Sequence, residues 1–219
     1  MIRFFGQKKF SNSDPAKLLG YEFLLREYVD GKWQLPKDFS VFSSEQIAKL
    51  LVQTIAALPA DLPLISFNLD QAQFVSPDFR KGITSLFKAN PMNLFVELTE
   101  RNNNIDYDEL VKAASDYKKA GLRVVLDDVG TGDNQTEMAM ALNEFTSEYK
   151  FALQNVRGVD EKEVRAQVTF WHDFATKQHK LFAIEGFETA DDLRMAKEYS
   201  PDVLQGYYFA HTELIEIAD

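Results

Sequence analysis

Seven short apolar segments recur along the chain: 21–25 (YEFLL), 64–69 (LISFNL), 94–98 (LFVEL), 122–126 (LRVVL), 149–153 (YKFAL), 181–184 (LFAI) and 203–209 (VLQGYYF). Their length and their enrichment in Val, Ile and Phe predict strands buried on both faces. The segments between them carry helical spacing. Residues 107–120 put Leu110, Ala114 and Tyr117 on one face, with Gly121 as a C-terminal stop. Residues 160–178 do the same with Val164, Val168, Trp171 and Ala175. Two further helices are expected over 44–58 and 77–89, the second opened by Pro77. Strand–helix alternation without a linker predicts one α/β domain over residues 1–219 with a parallel sheet. Seven strands, and an eighth near residues 3–7, favour a closed TIM-type (β/α)8 barrel over an open doubly wound sheet. No G-x-G-x-x-G follows the first strand, which removes support for a dinucleotide fold.

In such a barrel, the polar residues at the C-terminal strand ends face one shared mouth. Here those ends carry Glu22, Asn68, Glu97, the adjacent pair Asp127 and Asp128, Lys150, Glu185 and Gln205. The pair lies in "RVVLDDVGTGDN", where a buried strand delivers two like charges into a glycine turn. Carboxylates crowded together without a counter-charge do not all stay ionised. Hard divalent cations such as Mg²⁺ and Mn²⁺ resolve the repulsion, because they favour carboxylate and amide oxygen. Two ions bridged by a residue such as Asp127 would suit in-line displacement at phosphorus.

Composition narrows the partners. The formal charge of −10 argues against a nonspecific grip on DNA or RNA. It leaves room for a small phosphorylated ligand if cations intervene. There is no cysteine, no apolar run near membrane-spanning length and no signal-peptide pattern, so a cytoplasmic protein without membrane insertion is expected. The 18 phenylalanines read as core, and the scattered His172, His179 and His211 do not read as metal ligands.

Six motifs stand in order: "YEFLLR" (21–26), "FNL" (67–69), "ELTE" (97–100), "LDDVGTG" (126–132), "EGFET" (185–189) and "LQGYYF" (204–209). Together they resemble the EAL domains, bacterial phosphodiesterases that hydrolyse cyclic di-GMP. The resemblance implies a TIM-type barrel with one strand reversed and a metal-dependent hydrolase that yields linear pGpG. It implies that Glu22, Asn68, Glu97 and Asp127 bind one Mg²⁺ or Mn²⁺ ion and Asp128 a second. Lys150 would position the attacking water, and Glu185 would act as general base or ligand of the second ion. Arg26 would meet a ligand phosphate and Gln205 would line the mouth, while Glu100 and Glu188 would support the loop after Asp128. A homodimer formed through the barrel face near that loop is a further implication.

Three departures from the family pattern stand out. Phe23 replaces the alanine of Glu-Ala-Leu, on the opposite side of the strand from Glu22. Val129 and "DNQTEM" (133–138) replace a Phe and a serine-rich stretch, where substrate binding and subunit pairing are expected to differ. Ala152 stands where the family carries an aspartate two residues after the lysine. Loss of such a supporting carboxylate commonly costs about 10–100-fold in metal affinity or activity. The alternative expectation is therefore a catalytically silent module that works as a cyclic di-GMP receptor or binds a protein partner.

Overall fold

A computed structural model describes residues 1–89, 93–101 and 104–217. In chain order the strands are β1 (Ile2–Ser11), β2 (Leu18–Val29), β3 (Lys32–Gln34), β4 (Leu64–Leu69), β5 (Leu94–Leu98), β6 (Arg123–Leu126), β7 (Thr146–Ala152), β8 (Leu181–Glu185), β9 (Val203–Gln205) and β10 (Glu213–Leu214). Neighbours run β1-β9-β8-β7-β6-β5-β4-β2 and back to β1, which closes an eight-stranded barrel among the described residues. β3 and β10 attach outside it. β1 is antiparallel to both of its wall neighbours, β2 and β9, and the remaining wall pairs are parallel. The expected barrel with one reversed strand is therefore the observed one.

The helices are α1 (Ser44–Ala56), α2 (Gln71–Val75), α3 (Pro77–Ala89), α4 (Tyr107–Lys119), α5 (Thr136–Leu142), α6 (Glu161–Lys177) and α7 (Leu193–Tyr199). The four long ones match the helical spacing in the sequence. The three short ones, α2, α5 and α7, cover too few turns for periodicity to reveal them. Side chains at the N-termini start several helices. Ser43 and Gln46 form a reciprocal capping box on α1, and Asp70 and Gln73 form another on α2. Strand β9 stops at Gln205, short of the expected 203–209. Gly206 there has φ +153°, and an added Cβ would lie 2.3 Å from the carbonyl oxygen of Phe187.

Two apolar clusters fill the molecule. The large one lies between the outer face of the barrel wall and the helices, with Ile65, Phe67, Val96, Leu98, Leu110 and Trp171 among its members. The small one, Leu64, Phe95 and Val125 with Leu181 against it, sits inside the barrel at the strand beginnings. Because side chains alternate, the next inward residues along those strands are polar: Ser66 and Asn68, Glu97, Asp127, and Glu185 after Ala183. The barrel is plugged at one end and charged at the other. Phe23 turns away from this interior, buried and stacked on Phe4 with ring centroids 5.3 Å apart. No helix among the described residues is long and apolar enough to cross a membrane.

Candidate active site at the barrel mouth

Lys150, projecting inward from β7, is the hub of the mouth. Its Nζ lies 2.6 Å from Glu97 Oε2, 2.9 Å from Asp127 Oδ1, 3.0 Å from Glu185 Oε2 and 3.2 Å from Glu22 Oε2. These five groups come from β7, β5, β2, β8 and the end of β6, and each is buried. Burial works against the ammonium charge, yet Asp127, Glu185, Glu22 and Glu97 outweigh it and hold the Lys150 pKa well above its ordinary value. Glu22 is gripped further: Asn68 Nδ2 donates to its Oε1 at 2.6 Å and Gln205 Nε2 to its Oε2 at 2.5 Å. The strand ends that the sequence singles out are thus brought together within hydrogen-bond reach.

Two charged residues in this space were not singled out by their sequence context. Lys9, on the reversed strand β1, is 1% exposed and places Nζ 2.5 Å from Glu97 Oε1. Burial opposes the Lys9 charge, but Glu97 wins and raises its pKa. Glu97 therefore has an ammonium on each oxygen. Burial pushes its carboxyl up, while Lys150 and Lys9 together pull it down to about 2. Glu148, two residues before Lys150 on the same face of β7, is 0% exposed, and neither carboxylate oxygen has a hydrogen-bond partner among the described residues. Burial lifts its pKa to about 7. Strict alternation along β7 would have flagged Glu148. Lys9 had no such signal, because its inward direction depends on how β1 closes the barrel.

The Asp127–Asp128 turn is held from behind. Asn134, fully buried, donates through Nδ2 to the carbonyl of Leu98 at 2.9 Å and to that of Asp127 at 2.5 Å. The altered loop after the glycines therefore pins the site rather than hanging free of it. Gly132 at φ +46° packs against the Glu100 backbone, where a Cβ would come 2.3 Å from the carbonyl oxygen. Asp128 itself takes φ +47°, a left-handed conformation uncommon outside glycine and typical of constrained functional turns. Burial and then the Glu185 charge raise its pKa to about 7. Burial likewise raises Asp127 well above the carboxylate range, with the Asp128 charge adding to it.

One oxygen from each of Asp127, Asp128 and Glu185 lies within 4.8 Å of the others. Asp128 Oδ1 and Asn68 Oδ1 are buried acceptors with no donor among the described residues. Three crowded carboxylates, the raised pKa values of Asp127 and Asp128, and orphaned acceptor oxygens fit a hard divalent cation. Glu22, Glu97 and Glu185 already take amide or ammonium donors on both oxygens, and Asp127 Oδ1 meets Lys150, so the buried acceptors left open among the described residues include those on Asp128 and Asn68.

Two clefts flank this centre, and Glu22 lines both. One carries Arg26, Phe39, Arg101, Asp127 and Asp128; the other carries Gln7, Glu185, Glu188, Gln205 and Tyr207. Arg26 is half-buried, and burial lowers its pKa. Its Nη1 donates to the Leu25 carbonyl at 2.9 Å. Glu100 stands beside the Asp128 loop, accepting the Asp133 amide through its carbonyl at 3.0 Å. Glu188 is exposed, and its amide donates to Asp192 Oδ2 at 2.9 Å. Ala152 is buried in register with Glu185 and brings only a methyl group. Amides just beyond it stand where carboxylate partners are needed. Gln154 Nε2 donates to Glu185 Oε1 at 2.7 Å, and the Asn155 side chain hydrogen-bonds Asp128.

Comparison with known proteins agrees with this architecture. A family model described as EAL domain matches residues 35–212. That span begins after β1 and β2, so Lys9, Glu22 and Arg26 lie before it. Among curated proteins, the probable cyclic di-GMP phosphodiesterase PdeB of Escherichia coli (strain K12) is 24% identical over 210 residues. The match covers 89% of this chain but 40% of that protein. Among solved structures, the EAL enzyme Bd1971 with cAMP and cyclic di-GMP bound superposes with a TM-score of 0.80 at 19% identity, over 97% of this chain and 62% of that one. The Bacillus subtilis YkuI protein, which has an EAL domain and is in complex with c-di-GMP and calcium, gives 0.79 at 20% identity, over 100% of this chain and 57% of that one. At these identities the structural likeness speaks for the fold.

Proposed function

The chain belongs to the EAL domain family, and from that membership we propose that it is a cytoplasmic, metal-dependent phosphodiesterase that hydrolyses cyclic di-GMP to linear pGpG. The observation that carries this reading is the lysine-centred ring of carboxylates, which shares Asp127 and Glu185 with the Asp127, Asp128 and Glu185 cluster, together with the orphaned acceptors Asp128 Oδ1 and Asn68 Oδ1. Asp127, Asp128 and Glu185 would hold Mg²⁺ or Mn²⁺, with Asn68 Oδ1 at hand. The ion would supply Lewis acidity and neutralise charge developing on the phosphate. Lys150 would orient the attacking water, and Glu185, as the alternative to ligating the ion, would take its proton. Arg26, with its planar fork, would receive a phosphate in one cleft, and Gln205 would fix the ligand at the other. Glu100 and Glu188 would steady the loops on either side.

The test is direct. Purified protein is incubated with cyclic di-GMP and Mn²⁺, with and without EDTA, and pGpG is measured. Turnover that EDTA removes and that Glu22→Ala abolishes supports the enzyme. A second reading draws on Ala152, whose methyl cannot orient a lysine or a water: a receptor that binds cyclic di-GMP without cleaving it. Tight binding with no pGpG over hours would favour the receptor and overturn the hydrolase.

A further inference from the structure

We propose that Lys9 takes the place of one of the two cations in the barrel mouth, so that this chain retains a single exchangeable divalent ion, seated on Asp127, Asp128 and Glu185. The inference rests on the reading above that the mouth binds divalent cations, and it deepens that reading by assigning their number.

The geometry around Glu97 carries it. Lys9 Nζ sits 2.5 Å from one carboxylate oxygen and Lys150 Nζ sits 2.6 Å from the other. Both lysines are 1% exposed and Glu97 is 0% exposed, so neither ammonium can swing into water while the barrel stays closed. Lys9 enters from β1, opposite Gln205 and Gly20 on the neighbouring strands, with wall on both sides of it. Its positive charge is also favoured by Glu22 and Glu148. A divalent ion ligated by Glu97 would have to share that carboxylate with two ammonium groups already at hydrogen-bond distance. Like charges so close in a site shielded from water repel strongly.

Glu22 leans the same way. Both of its oxygens are taken, by Asn68 on one side and by Gln205 and Lys150 on the other. On the opposite side Glu185 takes Gln154 and Lys150 and Asp127 takes Lys150, but the second lysine is missing and Asp128 stands without an ammonium partner among the described residues. Asp127, Asp128 and Glu185 converge within 4.8 Å, and Asp128 Oδ1 has no donor among the described residues. Lys9 and Lys150 together neutralise the Glu97 side of the site, while on the other side Lys150 alone serves Asp127 and Glu185 and no ammonium reaches Asp128 among the described residues.

Counting ions tests this without reference to turnover. The purified chain is saturated with Mn²⁺, and bound manganese is quantified by elemental analysis and electron paramagnetic resonance. The wild type is expected to hold one Mn²⁺ per chain with the spectrum of an isolated ion. Lys9→Met is expected to hold two, with the line pattern of a spin-coupled pair. Two coupled ions in the wild type would overturn the proposal while leaving the metal-dependent function standing. No manganese at all would overturn both. One ion in a folded Lys9→Met variant would overturn the assignment to Lys9. If Lys9→Met does not fold, Lys9→Gln, which fills the space without the charge, is scored in the same way, and the wild-type count remains decisive.

Discussion

The two ends of one barrel interior are built on the same strands and do opposite work. At the strand beginnings, Leu64, Phe95, Val125 and Leu181 form an apolar plug. Two to four residues further along, the inward positions become Ser66 and Asn68, Glu97, Asp127 and Glu185. The plug lowers free energy by removing apolar surface from water. The mouth pays for buried charge and recovers it only through pairing, so it is weak evidence for stability and strong evidence for a site. Distance along a strand, rather than choice of element, separates scaffold from chemistry here.

The sharpest way to break that contrast is to remove one charge from the mouth. Asp127→Asn is expected to lower Mn²⁺-dependent pGpG formation by on the order of 10³-fold, with an unchanged circular dichroism spectrum. If activity survived, the mouth would not be the catalytic end. The converse substitution belongs at the plug. Phe95→Ala should cost about 3–5 kcal/mol in urea unfolding, while the fraction that stays folded keeps its ligand affinity. A comparable loss of affinity in folded Phe95→Ala protein would show that the two ends are coupled.

A third test concerns Glu148, which stands in register with the plug residues Val125 and Leu181 and is buried without a hydrogen-bond partner among the described residues. Its folded pKa is about 7 against an ordinary 4.5, so the folded state binds the proton more tightly than the unfolded chain. Its contribution to stability is complete below pH 4.5 and is lost as pH rises through about 7. Across that window the loss is on the order of 3 kcal/mol, at about 1.4 kcal/mol per pKa unit. Glu148→Gln does not titrate, so its stability relative to wild type should improve between pH 5 and pH 8. Urea midpoints of both proteins at the two pH values measure this, and parallel pH trends would remove Glu148 from the account. The smallest effect is expected behind the turn. Asn134→Ala leaves the carbonyls of Leu98 and Asp127 without their side-chain donor, at a cost of about 1–3 kcal/mol. Hydrogen exchange should quicken first at Gly130 and Thr131.

Much of this was legible in the linear pattern. Short apolar runs and helical spacing predict the barrel, because alternation and 3.6-residue periodicity are local properties of the chain. The acids at the strand ends were legible too, since a carboxylate that closes an apolar run has no local reason to be there. Glu22, Asn68, Glu97, Asp127, Lys150, Glu185 and Gln205 do meet within hydrogen-bond distance. Only tertiary structure decided what those acids face. Lys9 lies 88 positions before Glu97, on the strand that runs against its neighbours, and barrel closure alone turns it inward. Asn134 reaches the site from a loop, and Gln154 and Asn155 from a single 3-10 turn over Leu153–Val156, and no periodicity encodes either path. A strand's face is set by its own alternation, but the partner of a buried charge is set by whichever distant strand the closing sheet brings alongside.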